Sequence, residues 1–262
     1  MNLKKLWITL CKNEIDIIPF ARKYWERIGC DVLVYDNGST DGSIELLQSL
    51  PYCTVRHFDS EGQNDVIQKT VKESAYLEYK DKYDVIIITD MDELFYFKDF
   101  EKAATDMIEG GYNCIVVNNY ALCEDYKPQP SEEYYLHEQC HKFYKQRLNH
   151  MIGFETLSKI SIFNTKATSQ VCMTVGQHYV TTLPIMQILL RSDGFCLHVD
   201  KGFNAEFKFK VRQRMNDNLS ITNKQGGMCV EYGQTYEALK EEYLKNQENS
   251  IDINKLLETD VK

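Results

Sequence analysis

Nowhere do apolar residues run on for the ~18–20 positions that a membrane-spanning helix needs, so no helical span is expected in this chain. A basic surplus is also missing. Lysine and arginine number 30 against 39 acids, a formal net charge of −9, which argues against broad nucleic-acid binding because that needs a basic surface. There is no Cys-x-x-Cys pair. The nine cysteines are an odd, scattered set, and Cys11, Cys114 and Cys196 lie inside apolar runs. Reduced, buried thiols in a cytoplasmic protein are therefore expected. Residues 1–12 contain a short apolar segment without a long apolar region or small-residue cleavage site, and read as a first strand. With no repeat and no low-complexity linker, 262 residues suit one large α/β domain with an ample core.

What is present is a rhythm. Residues 6–11, 31–35, 54–58 and 84–89 are β-rich apolar runs. Between them, 17–28, about 42–50 and 65–79 have helical spacing, with Gly29 as a C-cap signal and Thr40 or Asp41 as the cap of the second helix. A further helix over 100–110 and a strand over 114–122 follow. Such alternation with short connections predicts a parallel sheet covered by helices on both faces. After Cys123 the rhythm breaks. Residues 159–163 and 170–175 read as a hairpin linked by 164–166, and 236–246 as an exposed charged helix. Strict alternation over 201–214 suggests a strand.

The most informative segment ends the fourth run. Val85–Ile88 stops abruptly in Asp90 and Asp92, with Glu93 next. A buried strand ending in Asp-x-Asp projects hard oxygen ligands where open α/β sheets bind their substrates. Those carboxylates suit Mg²⁺ or Mn²⁺ bridging to a phosphate. Asn13, Glu14, Asp36 and Asp41 follow the neighbouring strands, so one acidic cleft is expected at that sheet edge. Such a cleft calls for a cation or a hydrogen-bonding ligand to offset the repulsion. Asp36 could accept hydrogen bonds from a base or ribose there.

These segments carry a resemblance. Thr9-Leu-Cys-Lys-Asn-Glu14, Val34-Tyr-Asp-Asn-Gly-Ser-Thr-Asp-Gly42 and Ile88-Thr-Asp-Met-Asp-Glu-Leu-Phe95 agree in order, spacing and strand-end position with one family. Over residues 5–97 the chain closely resembles family 2-like glycosyltransferases of the GT-A fold. It is most similar to a bacterial subgroup with a Lys-Asn-Glu start and an Asp-x-Asp-Glu-Phe metal motif, although Leu94 replaces the usual Phe. Gln68 falls where that subgroup carries a glutamine, and Lys159-Ile-Ser-Ile, Gly176-Gln-His178 and Leu197-His198 are thinner matches.

The resemblance implies a single α/β domain of GT-A type with a mostly parallel nucleotide-binding sheet flanked by helices. Residues 1–123 would form the nucleotide-sugar half, and 124–262 an irregular acceptor-binding half. It implies a metal-dependent inverting, hexosyltransferase-like enzyme that moves a sugar from a nucleotide-sugar donor to a glycan or lipid-linked saccharide. The setting would be bacterial surface polysaccharide or lipopolysaccharide synthesis, in the cytoplasm or peripherally at the inner face of the membrane. Donor contacts would come from Thr9, Cys11, Asn13, Glu14 and Asp36. Asn37, Asp41, Gln68, Met91 and Lys159 would complete them. Asp90 and Asp92, with His198 or His178, would hold the metal. Mn²⁺ is favoured over Mg²⁺ because imidazole suits it better. The helix it places over 201–214 carries Lys208, Lys210, Arg212 and Arg214, cations that could meet a diphosphate or a lipid-linked acceptor. Glu124, Asp125 and Glu155 are the candidates for the base that deprotonates the acceptor.

Two other readings stay open. A catalytically idle GT-A domain would bind nucleotide or glycan, although the intact Asp90 and Asp92 count against it. His137-Glu138-Gln-Cys-His141 fits the zinc-hydrolase pattern, in which two histidines share a helix face.

Overall fold

The computed structural model describes residues 2–146, 158–177 and 179–259. The first half follows the predicted alternation: β1 (Lys5–Cys11), α1 (Ile18–Ile28), β2 (Asp31–Asp36), α2 (Ser43–Gln48), β3 (Cys53–His57), α3 (Asp65–Tyr79) and β4 (Val85–Asp90). Next come β5 (Glu93–Phe97), α4 (Phe100–Glu109), β6 (Cys114–Leu122), the single turn α5 (Leu136–Gln139) and β7 (Phe143–Lys145). The later part holds β8 (Ile162–Asn164), β9 (Gln170–Met173), β10 (Val180–Leu183), β11 (Ile188–His198), α6 (Ala205–Asp217), α7 (Ile221–Gln225), α8 (Tyr236–Glu248) and α9 (Ile253–Thr259).

Among the described residues, nine strands form one sheet in the order β3-β2-β1-β4-β8-β6-β11-β5, with β7 beside β6. Strands β3, β2, β1 and β4 are mutually parallel, as is the pair β6–β11. The rest of the sheet is antiparallel. The sheet is therefore mixed, not mostly parallel. Two local causes account for this. Strand β8 wedges antiparallel between β4 and β6, and the chain reverses at Asp92 to make β5 on the far edge. The expected hairpin over 159–175 does not form. All three residues of β8 are buried in the main sheet, whereas β9 pairs with β10 in a separate two-stranded sheet.

The central strands are apolar on both sides because both faces are covered. One core gathers Trp7, Trp25 and Phe95 with α1 and α4, and the other packs Ile86, Ile88 and Phe163 under Tyr76 of α3. Alternation along β1 divides Trp7 from Ile8 between these cores. The indole N–H of Trp7 donates to Thr89 Oγ1 at 2.7 Å. Helix α1 ends at Gly29, whose φ of +66° is a left-handed conformation that glycine adopts without strain.

Three smaller expectations changed. Gly42, not Thr40 or Asp41, occupies the N-cap of α2, while the Asp41 carboxylate accepts from Ser43 N and Oγ and from Ile15 N. Residues 205–217 form the helix α6 that the resemblance implies, not the strand that alternation suggests, because Asn204 caps it, accepting from Phe207 N at 2.9 Å. The four-residue period then buries Lys208 and Arg212 together. Helix α8 is not wholly exposed. It buries Leu239 and Tyr243, and the Tyr243 hydroxyl reaches Glu124 O and Phe203 O. Among the described residues no helix is long and apolar enough to cross a membrane.

Candidate active site

Parallel register assembles the site. Leu10 pairs with Asp90 and Cys11 with Asp36, so the C-terminal ends of β1, β2 and β4 lie side by side. After Asp90 the chain turns through Met91 and Asp92 into β5, which pairs with β11 so that His198 lies opposite Glu93. Asp92 then ties down the next turn. Its carbonyl accepts from Val199 N, and its Oδ2 accepts from Lys201 N, both at 2.9 Å. Asp200 and Lys201 have φ of +53° and +62°, a left-handed conformation that costs non-glycine residues energy and that clusters at functional sites. At Gly202 a Cβ would come within 2.6 Å of the Lys208 backbone. Only glycine lets α6 begin so close to the strand end.

The expected acidic cleft is instead a network of matched charges. Asp90 lies between two lysines, with Lys72 Nζ at 2.7 Å and Lys159 Nζ at 3.1 Å. Lys159 also reaches Glu93 Oε1 at 2.8 Å, and Glu93 Oε2 accepts from Asp90 N. Lys72 donates to Gln177 Oε1, and Gln177 Nε2 donates to Ile88 O. On the other side, Lys201 Nζ is 3.5 Å from Asp92 Oδ1, and His198 Nε2 is 3.6 Å from Asp92 Oδ2. Burial alone would raise both aspartates. Lys159, Lys72 and Lys201 outweigh it at Asp90, and Lys201 with His198 at Asp92, so both carboxyls sit well below their ordinary range. Both are ionised at neutral pH. Glu14 behaves in the opposite way. Burial pushes it up to about 8, against the pull of Lys201, with Asp92 adding to the rise. It carries its proton at pH 7.

The tautomer of His198 decides what this corner can hold. Gln146 Oε1 lies 2.7 Å from His198 Nδ1 and also accepts from Asn119 Nδ2. With the Gln146 amide oxygen toward the ring, Nδ1 donates to it, and Nε2 is the ring nitrogen that faces the Asp92 carboxylate. Two electron-rich groups 3.6 Å apart are stable with a proton on Nε2 or with a cation between them. Such an outer hydrogen bond is the usual way a metal-binding histidine is oriented. Asp92 and His198 therefore fit a divalent cation as a two-residue donor set, leaving the other positions to substrate oxygens, as hard divalent ions commonly require. Asp90 faces its two lysines. Among the described residues, no cluster of three or more His, Cys, Asp or Glu side chains could hold a metal without substrate.

Two cavities meet here, sharing Gln63, Gln68, Asp90 and Lys201. The first, about 250 Å³, is lined by Cys11, Asn13, Glu14, Asn37, Met91 and Arg214 among others. The second, about 240 Å³, extends past Lys159, Gln146, His198 and Asp200 to Arg212.

No family model matches the sequence, and no curated protein matches it. Among solved structures, the chain is similar to S. aureus TarS at 14% identity and a TM-score of 0.47, covering 85% of this chain and 41% of that one. It is also similar to TarS 1–349 in complex with UDP-GlcNAc, at 12% identity and a TM-score of 0.46, covering 93% and 72% of the two chains. For TarS 1–349 in complex with UDP the values are 12%, 0.47, 92% and 71%. The chain thus spans about two-fifths of the longer TarS chain.

Of the residues singled out from sequence, the structure brings Cys11, Asn13, Glu14, Asn37, Gln68, Asp90, Met91, Lys159 and His198 to the cavities. Asp92 is buried just behind them. Others turn elsewhere. Thr9 is buried within β1. Asp36 is buried too, and its oxygens accept from Gly38 N, Ser39 N and Ser39 Oγ, so it shapes its own loop instead of offering acceptors to a base or ribose. Asp41 does the same for the start of α2. Glu155 and His178 lie outside the described residues. Glu124 Oε1 accepts from the backbone N–H groups of His141 and Lys142, and Asp125 pairs with Lys142 and Gln247. Neither lines these two cavities. Sequence reasoning passed over Lys72 and Gln146. Lys72 had a readable signal, since it lies on the buried face of α3 with Ala75 and Tyr76. Gln146 had none.

The His-Glu-x-x-His segment does not make a zinc site. Helix α5 ends at Gln139, and Cys140 is extended, so the two histidines do not share a helix face. His137 is buried, its Nδ1 lies 2.9 Å from the Tyr24 hydroxyl, and that hydroxyl accepts from His137 N. His141 is largely exposed and lies 3.3 Å from Asp252. Burial, aided by Arg27, depresses His137 to about 3. The unfolded chain therefore takes up a proton below pH 6.5 that the folded one refuses. This contribution is complete above pH 6.5 and is lost as pH falls from 6.5 toward 3, at roughly 1.4 kcal/mol per unit. Urea titrations of wild type and His137→Gln between pH 7 and 4 should show a shallower loss in the variant. Parallel curves would refute this.

Proposed function

We propose that the protein is a glycosyltransferase that uses a nucleotide-sugar donor, with a divalent cation held by Asp92 and His198. The observation that carries the proposal is the His198 ring on the wall of the second cavity: its Nδ1 lies 2.7 Å from Gln146 Oε1, and its Nε2 faces Asp92, buried behind that wall. The motif resemblance over residues 5–97 supports it independently. The nucleoside would occupy the first cavity, against Asn13, Asn37 and Gln68. The diphosphate would lie at the junction, where Lys201 is already positioned, and the sugar would enter the second cavity. Asp92 and His198 would hold the cation, whose chemistry there is to neutralise charge on the departing diphosphate. Lys72 and Lys159 hold Asp90 ionised and rigid, so the strand end keeps its shape as substrate charge arrives. Glu14, protonated, adds no repulsion toward the phosphates. The resemblance would make the reaction a single displacement with inversion. A saccharide acceptor, with or without a lipid carrier, would enter from the second-cavity side.

The test is a thermal-shift panel of UDP, GDP, CMP and dTDP, with and without Mn²⁺ or Mg²⁺. A nucleotide at a hundred times its dissociation constant adds about 2.7 kcal/mol. One nucleotide stabilising the protein in a cation-dependent manner is the expected result, and no shift from any of them would sink the proposal. Gln146→Leu should weaken the cation requirement's midpoint roughly ten- to a hundredfold while leaving the fold intact. An unchanged midpoint would remove Gln146 from this role.

A further inference from the structure

The second cavity carries cationic groups beyond those that face the Asp-x-Asp segment. Its walls include Lys69, Lys72, Lys159, Lys201 and Arg212, against Asp65, Asp90, Asp200 and Glu231. Most of these ions are committed to one another. Lys72 and Lys159 face Asp90, and Lys201 faces Asp92. Lys69 lies 3.6 Å from Glu73, and Asp200 is held by Lys208. Arg212 differs. It is only 9% exposed on α6. Its Nη1 donates to Gln234 Oε1 at 3.0 Å, while its Nε is buried and has no hydrogen-bond partner among the described residues.

A buried donor on a charged group is costly to leave unmade. The planar guanidinium is the side chain best matched to a two-oxygen anion, which can accept from Nε and an Nη together. We infer that this cavity contains an oxyanion subsite built on Arg212, and that it binds a phosphate or carboxylate group carried by the acceptor. Lys69, one turn before Lys72 on α3, adds a second positive charge at the same wall. The inference rests on the proposed donor reading, which gives the first cavity to the nucleoside and the second to the transferred sugar and the acceptor that meets it there.

The test titrates inorganic phosphate at constant ionic strength and follows the melting temperature. Wild type, Arg212→Lys and Lys69→Gln are compared, each alone and saturated with the nucleoside diphosphate found in the panel. Arg212→Lys keeps the charge but loses the fork, and its melting curve without ligand reports whether it folds. Lys69→Gln, on the partly exposed face of α3, is the second variant. Phosphate is expected to stabilise the nucleotide-loaded wild type further. Arg212→Lys should weaken that effect roughly tenfold, and Lys69→Gln roughly threefold, with the nucleotide's own shift retained. Phosphate that competes with the nucleotide, or that binds wild type and both variants equally, overturns the subsite. A sugar nucleotide bearing a uronic acid that outperforms its neutral counterpart only when Arg212 is present would place the anion on the donor and overturn the acceptor assignment. Arg212-dependent phosphate binding with no nucleotide binding would leave the subsite standing and remove the donor reading.

Discussion

Lys159→Met is expected to lower stability by about 3–5 kcal/mol, because it takes one cation out of a buried network and leaves the carboxylates behind. Glu93, only 2% exposed, loses the ammonium group 2.8 Å away, and Asp90 keeps the ion pair with Lys72 and the influence of Lys201. For a chain of this length the melting temperature should fall by roughly 10 °C. The pH dependence gives a second signature. Burial opposes ionisation of Asp90, but the lysines outweigh it and hold its folded value well below the ordinary 3.8. Its contribution is therefore complete above pH 3.8 and is lost as pH falls toward the depressed value. The deficit of the variant should be full at pH 6 and narrow below pH 4. A variant that melts within about 2 °C of wild type would show that the network contributes little to stability.

Asp92→Asn should leave the fold largely in place and abolish the site. Asn keeps the oxygen that accepts from Lys201 N, so the turn between β11 and α6 survives, but the charge facing His198 and Lys201 is gone. If the proposed reading holds, sugar-nucleotide turnover should drop about a thousandfold, or ~4 kcal/mol of transition-state stabilisation. The cation-dependent part of the nucleotide-induced shift should disappear with it. His198 supplies an independent readout. Asp92 opposes the effect of burial and raises the imidazole, so its titration, followed by NMR, should move down in the variant. Turnover within about tenfold of wild type would remove Asp92 from the chemistry.

The first half of the fold was legible because each element there obeys local rules. Buried strands read as unbroken apolar runs such as Val85–Ile88, and Gly29 marks a helix end. The Asp-x-Asp segment stood out for the same reason, as a sharp change from apolar to acidic at a strand end. The later strands were harder. Strand β8 is three residues long, and its place between β4 and β6 depends on contacts more than forty residues away, which no short window contains. Over 205–214 the alternating pattern misled because Lys208 and Arg212 are buried ions four residues apart, and a pattern of hydrophobicity counts them as surface.

Charge was where the sequence alone pointed the wrong way. Asp36, Asp41, Asp90 and Asp92 follow neighbouring strands, so counting acids at strand ends gives an acidic cleft. Lys72 comes from a helix, Lys159 from the stretch before β8, and Lys201 from the turn after β11. They reach Asp90 and Asp92 only when the sheet is assembled. Asp36 and Asp41 meanwhile spend their oxygens on nearby backbone N–H groups. The sequence by itself determined the strand ends and the acids placed there, because the period of two, the burial of apolar runs and turn chemistry act within a few residues. Only the tertiary structure decided which acids face the cavities, which cations neutralise them and which way His198 points, because electrostatic partners are chosen by distance in space.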